Sequence, residues 1–476
     1  VLINRNFYVQ DTYVRGRVTL NMGLRFDYQT DKVDPMSIDA SPFYGLPTYS
    51  GVYKGVTYTG KTFDQLPAIT FGGAKALGDK GHAFVDWSPR VSMSYDVSGD
   101  GRNVVKFNYS RYVGQLGGNS GLMSTRYLTV AQTFVRYPWL DLNSDGFIQS
   151  NEVVYTAAPL SWTAGYNYND PTAQTTTGSV DPNITSDKTD ELIASFDRQI
   201  GKDFAVSASY IWRKYTNFRT TDRTDFGPDN WKEVTYTPTG CPAGADCPTV
   251  TYYQPTSQIP TNYTYHNVSD FWRGYQGFEL TARKRFSSRW QMNGSYAYND
   301  APMHFDSPES YAWWDINSDP TNIESSLNHG QFAEQSTTSG IDNVYVNATW
   351  IFRLSGSYTL PWWDIGMAAN YNARSGYPYI RSVLTPTRPF SAGQINVFLD
   401  KRGDERLPNF QSVDFRVDKP FTFFGRMKVI ASMDVFNLTN ANTTLSMRGT
   451  QNASNANTIS ALLAPRVIRF GFRATW

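Results

Sequence analysis

The C-terminal segment, residues 466–476, alternates strictly between apolar and polar side chains. One row comprises Ile468, Phe470, Phe472, Ala474 and Trp476, and the other comprises Val467, Arg469, Gly471, Arg473 and Thr475. Because successive side chains of a strand point to opposite faces, the pattern predicts one apolar face and one cationic or small-residue face. A soluble sandwich rarely seals arginines inside, whereas a membrane barrel turns its apolar face to lipid and its polar face to a wet lumen. The pattern therefore favours a transmembrane β-barrel, with the terminal aromatic as an interfacial anchor.

The same alternation recurs along the chain in six pairs of segments, each joined by a short turn. The pairs are 7–14 with 18–28, 91–97 with 105–109, 192–196 with 204–212, 278–282 with 290–298, 352–360 with 365–371, and 413–417 with 427–435. Alternating segments around a tight turn indicate β-hairpins. Together with the last segment, they predict thirteen antiparallel strands.

Long polar connections separate the hairpins. They span roughly 29–87, 113–188, 215–273, 300–347, 377–410 and 438–464. Loops of this length are uncommon in compact soluble domains, but a membrane barrel has short turns at one end and long loops at the other. The alternative, a soluble propeller, requires a fixed-period blade repeat, and the sequence has none. We therefore predict an all-β fold, a transmembrane antiparallel β-barrel with long extracellular loops.

The composition agrees with this interpretation. The chain has 43 basic and 42 acidic residues, so its charge gives no reason to expect nucleic acid as a partner. Charged residues make up 18% and aromatic residues 15% of the chain, and no run of about 18 apolar residues predicts a transmembrane helix. No signal peptide opens the sequence. Since an outer-membrane protein must be exported, we expect the natural N-terminus to lie upstream.

Several segments resemble TonB-dependent outer-membrane receptors. Those similar to the barrel hairpins and C-terminus of that family are 7–13, 20–28, 375–379, 434–440 and 465–476. Residues 401–410 are similar to the large Oar-like group within the family. The resemblance spans nearly the whole chain and implies a bacterial outer-membrane location.

The resemblance also implies a larger assembly. The family has a barrel of about 22 strands, an N-terminal plug inside it and a segment that contacts TonB. Residues 1–476 would then be the C-terminal part of the barrel, about 13 of the expected 22 strands. An odd strand count gives the same expectation, because single-chain bacterial barrels have even counts with both ends in the periplasm. We expect the N-terminal strands, plug and signal peptide to precede this sequence.

One twelve-residue segment, 141–152, matches a calcium-binding loop at every key position. The predicted ligands are the side chains of Asp141, Asn143, Asp145, Gln149 and Glu152, together with the backbone carbonyl of Phe147. Gln149 would bind directly or through water, and Gly146 permits the sharp turn. The alternative is a solvated turn, since Asp, Asn, Ser and Gly favour turns. The sequence thus predicts Ca²⁺ as a structural ion that stiffens a loop.

Other polar segments give weaker indications. Residues 315–320 have the same residue types at the same spacing as the first three calcium ligands, but Pro320 replaces the required glycine. Cys241 and Cys247 lie six residues apart in a polar loop. A disulfide there would suit an oxidising compartment, and two unpaired thiols are the alternative. The aromatic cluster at 311–314 could stack on a ligand, but we favour packing among the loops.

Catalytic motifs are absent from the sequence, so we predict that the protein is not an enzyme. The four histidines are scattered, and no pair has metal-ligand spacing. The predicted function is uptake of an unknown ligand across the outer membrane, with TonB, a plug and membrane lipid as partners implied by the resemblance. One alternative is a non-transporting surface or assembly protein whose calcium-stabilised extracellular loops bind a partner. Another is a passive diffusion channel.

Overall fold

The computed structural model describes most of the chain. The described residues are 2–31, 36–38, 51–53, 56–58, 69–71, 83–116, 135–148, 152–154, 157–162, 178–336, 344–423 and 427–475. Residues 424–426, in the short turn predicted between segments 413–417 and 427–435, and the predicted anchor Trp476 lie outside these residues.

Thirteen strands form one large antiparallel sheet in which spatial order follows chain order. They are β1 Leu2–Arg15, β2 Val18–Asp31, β3 Phe84–Asp96, β4 Asn103–Val113, β5 Lys188–Ile200, β6 Phe204–Thr216, β7 Phe271–Ser287, β8 Trp290–Asp300, β9 Trp350–Thr359, β10 Gly366–Arg374, β11 Phe410–Phe423, β12 Met427–Phe436 and β13 Val467–Thr475. A short strand, Met303–Phe305, also pairs with β7. The predicted strand number and all six predicted hairpins are confirmed.

Short turns join the strands within each hairpin, and their backbone conformations explain the residue types. Gly16 and Gly201 have φ of 57° and 63° in the β1–β2 and β5–β6 turns, a region that glycine enters without steric cost. The β7–β8 turn uses Ser288 and Arg289, with φ of 50° and 68°, as a two-residue hairpin turn requires. All these turns lie at one end of the strands, which we call the short-turn end. The long connections lie at the opposite end, which we call the loop end.

The two faces of the sheet differ in chemistry, as the alternation predicts. On the apolar face, Leu20 lies opposite Met93 and Phe26 opposite Trp87. These side chains have little protein over them: Phe472 of β13 is 81% exposed. On the polar face, Asp434 lies opposite both Arg416 and Arg469. The polar face therefore carries ion pairs across three adjacent strands, while the apolar face lacks cover from this chain in the described region.

The long connections contain their own secondary structure. Paired short strands are Met36–Ile38 with Ile69–Phe71, Gly51–Tyr53 with Val56–Tyr58, Val135–Arg136 with Ser161–Trp162, Trp231–Tyr236 with Val250–Pro255, Glu334–Gln335 with Tyr345–Val346, Ser382–Leu384 with Asn396–Phe398, and Thr444–Met447 with Ile459–Leu462. Short helices are Pro228–Asn230, Pro308–Trp313 and Ile323–Leu327. No helix in the described part of the chain is long and apolar enough to cross a membrane.

The hydrophobic cores lie mainly in these connections, and the large sheet contributes residues at the loop ends of its strands, such as Phe84 and Phe271. The main cluster contains Phe271, Met303, Tyr311, Ile323 and Leu327, all at most 5% exposed. A second cluster joins Val250 and Tyr252 to Val383 and Val397. Because apolar burial stabilises whichever segments share it, the connections 217–270, 301–336 and 375–409 form one packed cap over the loop end. We call these three connections the cap.

Candidate functional site

A small sheet covers the polar face at the loop end. It comprises Gly178–Val180, Arg219–Arg223 and Tyr263–Asn267, and we call it the mouth sheet. Phe84, the first residue of β3, is fully buried against Leu116, Val180 and Ile184. Tyr263 and Tyr265 of the mouth sheet pack against the same cluster. This cluster of apolar side chains thus fixes the mouth sheet to the polar face of the large sheet.

Polar contacts hold the segment before β5 to the polar face. The Ser186 hydroxyl donates to Asp86 Oδ2 at 2.6 Å, and Arg219 Nε donates to Asp187 Oδ1 at 2.8 Å. Asp86 is 5% exposed and lies directly opposite Asp27. Arg25 forms a 2.7 Å ion pair with Asp27. Since buried carboxylates need partners, these contacts make the position of the mouth sheet specific.

A histidine in the mouth sheet lies beside a carboxylate. His266 Nε2 lies 3.2 Å from Asp222 Oδ1, and its Nδ1 lies 2.8 Å from the carbonyl of Asn267. The Asp222 carboxylate raises the pKa of His266 above its usual 6.5, against the opposing effect of burial. The stability from this pair is therefore full below pH 6.5 and is lost as the pH rises through the higher folded-state pKa.

Charged and aromatic side chains line the polar face beside the mouth sheet. Arg213 Nε pairs with Glu191 Oε2 at 2.5 Å, and the Arg213 guanidinium lies 5.3 Å from the centre of the Tyr275 ring. Arg273 lies two residues before Tyr275 in β7, closer to the loop end. Its guanidinium lies 4.7 Å from the centre of the Phe218 ring and 3.9 Å from the centre of the Phe332 ring. Cation–π contacts of this kind hold a guanidinium in place without neutralising it. The face at the mouth is consequently a mixed surface of cations and rings.

An open cavity of about 290 Å³ lies in the loop region. Its lining includes Tyr345, Tyr379, Ser446 and Thr450, from three separate connections. The Tyr379 hydroxyl donates to the carbonyl of Arg448 at 3.1 Å, which fixes one wall. Hydroxyl and aromatic groups around a concave surface are suited to small polar ligands.

The sequence marks the aromatic cluster 263–265 of the mouth sheet as a possible stacking surface, but it does not identify Arg213 or Arg273 as site residues. Arg213 and Arg273 sit at polar positions of alternating strands, which marks the face but not the site. Their neighbours Phe218 and Phe332 come from connections without regular alternation. The signal available was the accumulation of Tyr, Trp and Arg near the loop ends of β6 and β7.

The calcium-like segment forms a compact turn where it is described. The Asp141 carboxylate accepts from the backbone N–H groups of Asp145 at 3.1 Å and Gly146 at 2.9 Å. Glu152 is 1% exposed, and its Oε1 accepts from the N–H of Leu142 at 2.8 Å. Gln149, with residues 150–151, lies outside the described residues. The structure therefore places Glu152 beside the start of the segment, but the described carboxylates of Asp141, Asp145 and Glu152 do not converge on one point as a three-carboxylate metal site would require.

The other predicted polar sites have different outcomes. In the 315–320 segment, Asp319 forms an ion pair with Arg388 in the cap, so it does not point toward a shared ion. Cys241 and Cys247 form a disulfide in the structure. Within the described ranges, no three His, Cys, Asp or Glu side chains cluster as a metal site would require.

Two histidines that are far apart in the sequence meet beside the cap. The rings of His304 and His329 have centroids 4.7 Å apart, and Trp272 stacks on His304 at 3.6 Å. Burial and the neighbouring His329 lower the pKa of His304. The pair has no third metal-binding partner in the described part of the protein. It acts here as an aromatic packing element.

Solved structures similar to this chain include outer-membrane transporters. The outer membrane transporter YddB from Escherichia coli is 12% identical over 99% of this chain and 54% of its own, with a TM-score of 0.43. The FrpB iron transporter from Neisseria meningitidis (F3-3 variant) is 9% identical over 100% of this chain and 44% of its own, also with a TM-score of 0.43. The ferric-catecholate import receptor Fiu from Escherichia coli K12 is 12% identical over 99% and 44%, with a TM-score of 0.44. The chain thus spans about half the length of these structures.

Sequence comparison gives the family. No curated protein sequence matches the chain. Residues 3–375 match the family described as "Outer membrane beta barrel domain", a range that includes most of the large antiparallel sheet. The apolar face is therefore the lipid-facing side and the polar face the luminal side. The chain belongs to the outer membrane beta barrel domain family and is a protein of the bacterial outer membrane.

Proposed function

We propose that the protein is the C-terminal barrel part of a TonB-dependent receptor that imports a ligand across the outer membrane. The observation that supports this proposal is the mouth sheet, which packs against Phe84 on the luminal side at the loop end. The adjoining segment before β5 contacts both β3 and the mouth sheet, because Ser186 donates to Asp86 of β3 and Asp187 accepts from Arg219 of the mouth sheet. A diffusion channel gains nothing from a mouth covered in this way, whereas a receptor uses such a surface to hold its ligand.

The charged and aromatic surface near Arg213 and Arg273 supports the same proposal. It faces the lumen next to the mouth sheet, where an entering solute first meets the wall. Glu191 neutralises Arg213, so the cation of this surface is Arg273, whose partly desolvated guanidinium favours anionic or polar ligands. Energy for release would come from TonB through a plug, as the family resemblance of the sequence implies.

Uptake assays test the proposal. We expect a strain lacking the gene and a strain lacking TonB to lose uptake of the same solute, in a screen of metal chelates, oligosaccharides and peptides. A defect that is independent of TonB would contradict TonB-dependent transport. Ohmic conductance of the purified natural protein in a planar bilayer would instead indicate a passive channel.

The calcium-like segment favours a second proposal, a surface or assembly protein whose stiffened loops bind a partner. The closed arrangement of Asp141, Gly146 and Glu152 supports it, because Glu152 is buried beside Leu142 although its position is ten residues later. The predicted donor set of three carboxylates, two amides and one backbone carbonyl suits Ca²⁺, a hard cation that prefers oxygen. Bound calcium would supply charge neutralisation and loop rigidity.

Calorimetric titration with Ca²⁺ tests this site. We expect the natural protein to bind with a Kd of about 10⁻⁴–10⁻³ M, as extracellular modules do. Asp145→Ala, which removes a predicted ligand, should abolish the binding heat. Asp315→Ala is the matched control. It alters the similar segment at residues 315–320 and should leave the binding heat unchanged. Absence of binding by the parent protein would contradict the proposal.

A further inference from the structure

We propose that the lipid-facing side of β8–β11 binds an anionic phospholipid of the periplasmic leaflet, with its phosphate at the turn between β9 and β10. The proposal depends on the barrel and its membrane location and is independent of the transported ligand. It rests on an apolar groove and on a group of cations at one end of that groove.

The groove has a volume of about 690 Å³ and faces the membrane. Trp290, Met292 and Tyr358 contribute to its lining. Gly356 of β9 lies opposite Ala369 of β10, and because both residues are small, the floor of the groove is deepest there. A side chain at Gly356 would bring its Cβ to 3.0 Å from the Gln291 carbonyl oxygen. The shape therefore accommodates an acyl chain between larger side chains.

Cations surround the periplasmic end of the groove. Lys419 Nζ donates to the carbonyl of Trp363 at 2.7 Å, in the β9–β10 turn. Arg289 Nη1 donates to the carbonyl of Leu360 at 3.2 Å in the same turn. On the other side, Lys284 Nζ lies 4.2 Å from the centre of the Trp290 ring. Backbone carbonyls hold these groups in position without cancelling their charge.

The local charge balance is positive. Of these cations, Arg289 has a carboxylate partner: its Nη1 lies 3.5 Å from Oδ1 of Asp364, whose side chain is 73% exposed. In the described part of the chain, neither Lys284 nor Lys419 has a carboxylate within ion-pair distance. Basic side chains at a membrane surface attract anionic headgroups. A headgroup with a net negative charge therefore complements this end of the groove, and a zwitterionic headgroup, whose phosphate charge is offset by an ammonium group, complements it less well.

Two tryptophans place the cations at headgroup depth. Trp362 and Trp363 in the β9–β10 turn are 61% and 74% exposed. Tryptophan concentrates at the membrane–water boundary, and the short turns of such barrels lie on the periplasmic side. A lipid with its phosphate beside Lys419 would extend its acyl chain along the groove, into the hydrocarbon layer.

Native mass spectrometry of the natural protein, extracted from outer membranes and stripped of lipid, tests the proposal. The protein is titrated with phosphatidylglycerol or phosphatidylethanolamine. We expect preferential retention of phosphatidylglycerol, and a roughly tenfold loss of that preference in Lys419→Ala/Arg289→Ala, because two headgroup contacts are removed. Ala369→Leu fills the groove and should lower retention of both lipids while all cations remain.

The matched control is Arg17→Ala/Lys202→Ala, which removes two cations from other short turns. Arg17 likewise donates to a backbone carbonyl, that of Val97 at 3.0 Å. This control should keep the parent preference. Equal loss in both double variants, or an unchanged preference in Lys419→Ala/Arg289→Ala, would overturn the proposal. If that variant fails to fold, Ala369→Leu decides: unchanged lipid retention overturns the site.

Discussion

Arg388→Ala is expected to destabilise the cap by about 3–5 kcal/mol, because it leaves a buried carboxylate without its counter-ion. The side chains of Arg388 and Asp319 are 6% and 2% exposed and form an ion pair. Arg388 also donates to the carbonyl of Tyr253 at 3.0 Å, and its guanidinium lies 5.3 Å from the Trp231 ring. Hydrogen exchange of the amides at Tyr253 and Thr321 measures the free energy of local opening.

Two companion variants separate the loss of charge pairing from the loss of packing. Arg388→Met/Asp319→Leu replaces both charges with apolar groups and should cost much less than the single change. Arg102→Ala breaks the exposed pair of Arg102 with Asp100, in which the two side chains are 61% and 49% exposed, and should have little effect on stability because solvent screens the pair. A similar cost for Arg388→Ala and Arg102→Ala would contradict the assignment of a buried pair.

Phe271→Ala is expected to cost about 3–5 kcal/mol and to loosen the cap from the barrel. Phe271 begins β7 and is 2% exposed. Its ring stacks on Trp313 at 4.1 Å and contacts Phe305 at 4.8 Å and Phe218 at 5.0 Å. The substitution leaves a cavity where a barrel strand joins the cap core, so amide exchange should rise throughout residues 303–327.

Phe278→Ala in the same strand is the control. Phe278 lies on the lipid-facing side and is 40% exposed, so its truncation leaves no enclosed cavity. We expect a change of about 0.5 kcal/mol or less and unaltered exchange in the cap. Equal exchange in the two variants would show that Phe271 does not couple the cap to the barrel.

The sequence predicted the large sheet well because the signal is local. In β2, for example, Leu20 and Phe26 alternate with polar residues, and a one-residue shift would reverse every side chain. The register observed between β2 and β3 keeps both residues on the lipid-facing side, opposite Met93 and Trp87. Periodicity and short turns were thus sufficient for all thirteen strands.

The mouth sheet and the cap were beyond local sequence reasoning. Tyr263 pairs with Gly178 in parallel, 85 positions away in the chain, and no repeat or turn marks that pairing. The 311–314 cluster was interpreted as loop packing, and this is confirmed: Tyr311 is 5% exposed and Trp313 stacks on Phe271. Its actual partners depend on contacts between distant connections. Calcium at 141–152 stays a prediction, since Gln149 lies outside the described residues.

The agreement between strand order and chain order has a consequence for assembly. Each strand pairs with its immediate successor, so each hairpin forms from contacts across only a few residues. Isolated hairpins of this kind form in about 1–10 μs. Joining one hairpin to the next instead closes a long loop, and each doubling of its length adds about 0.6 kcal/mol to the entropic cost. The longest such gap separates Val113 of β4 from Lys188 of β5, so that junction carries the largest loop-closure entropy among the joins between successive hairpins.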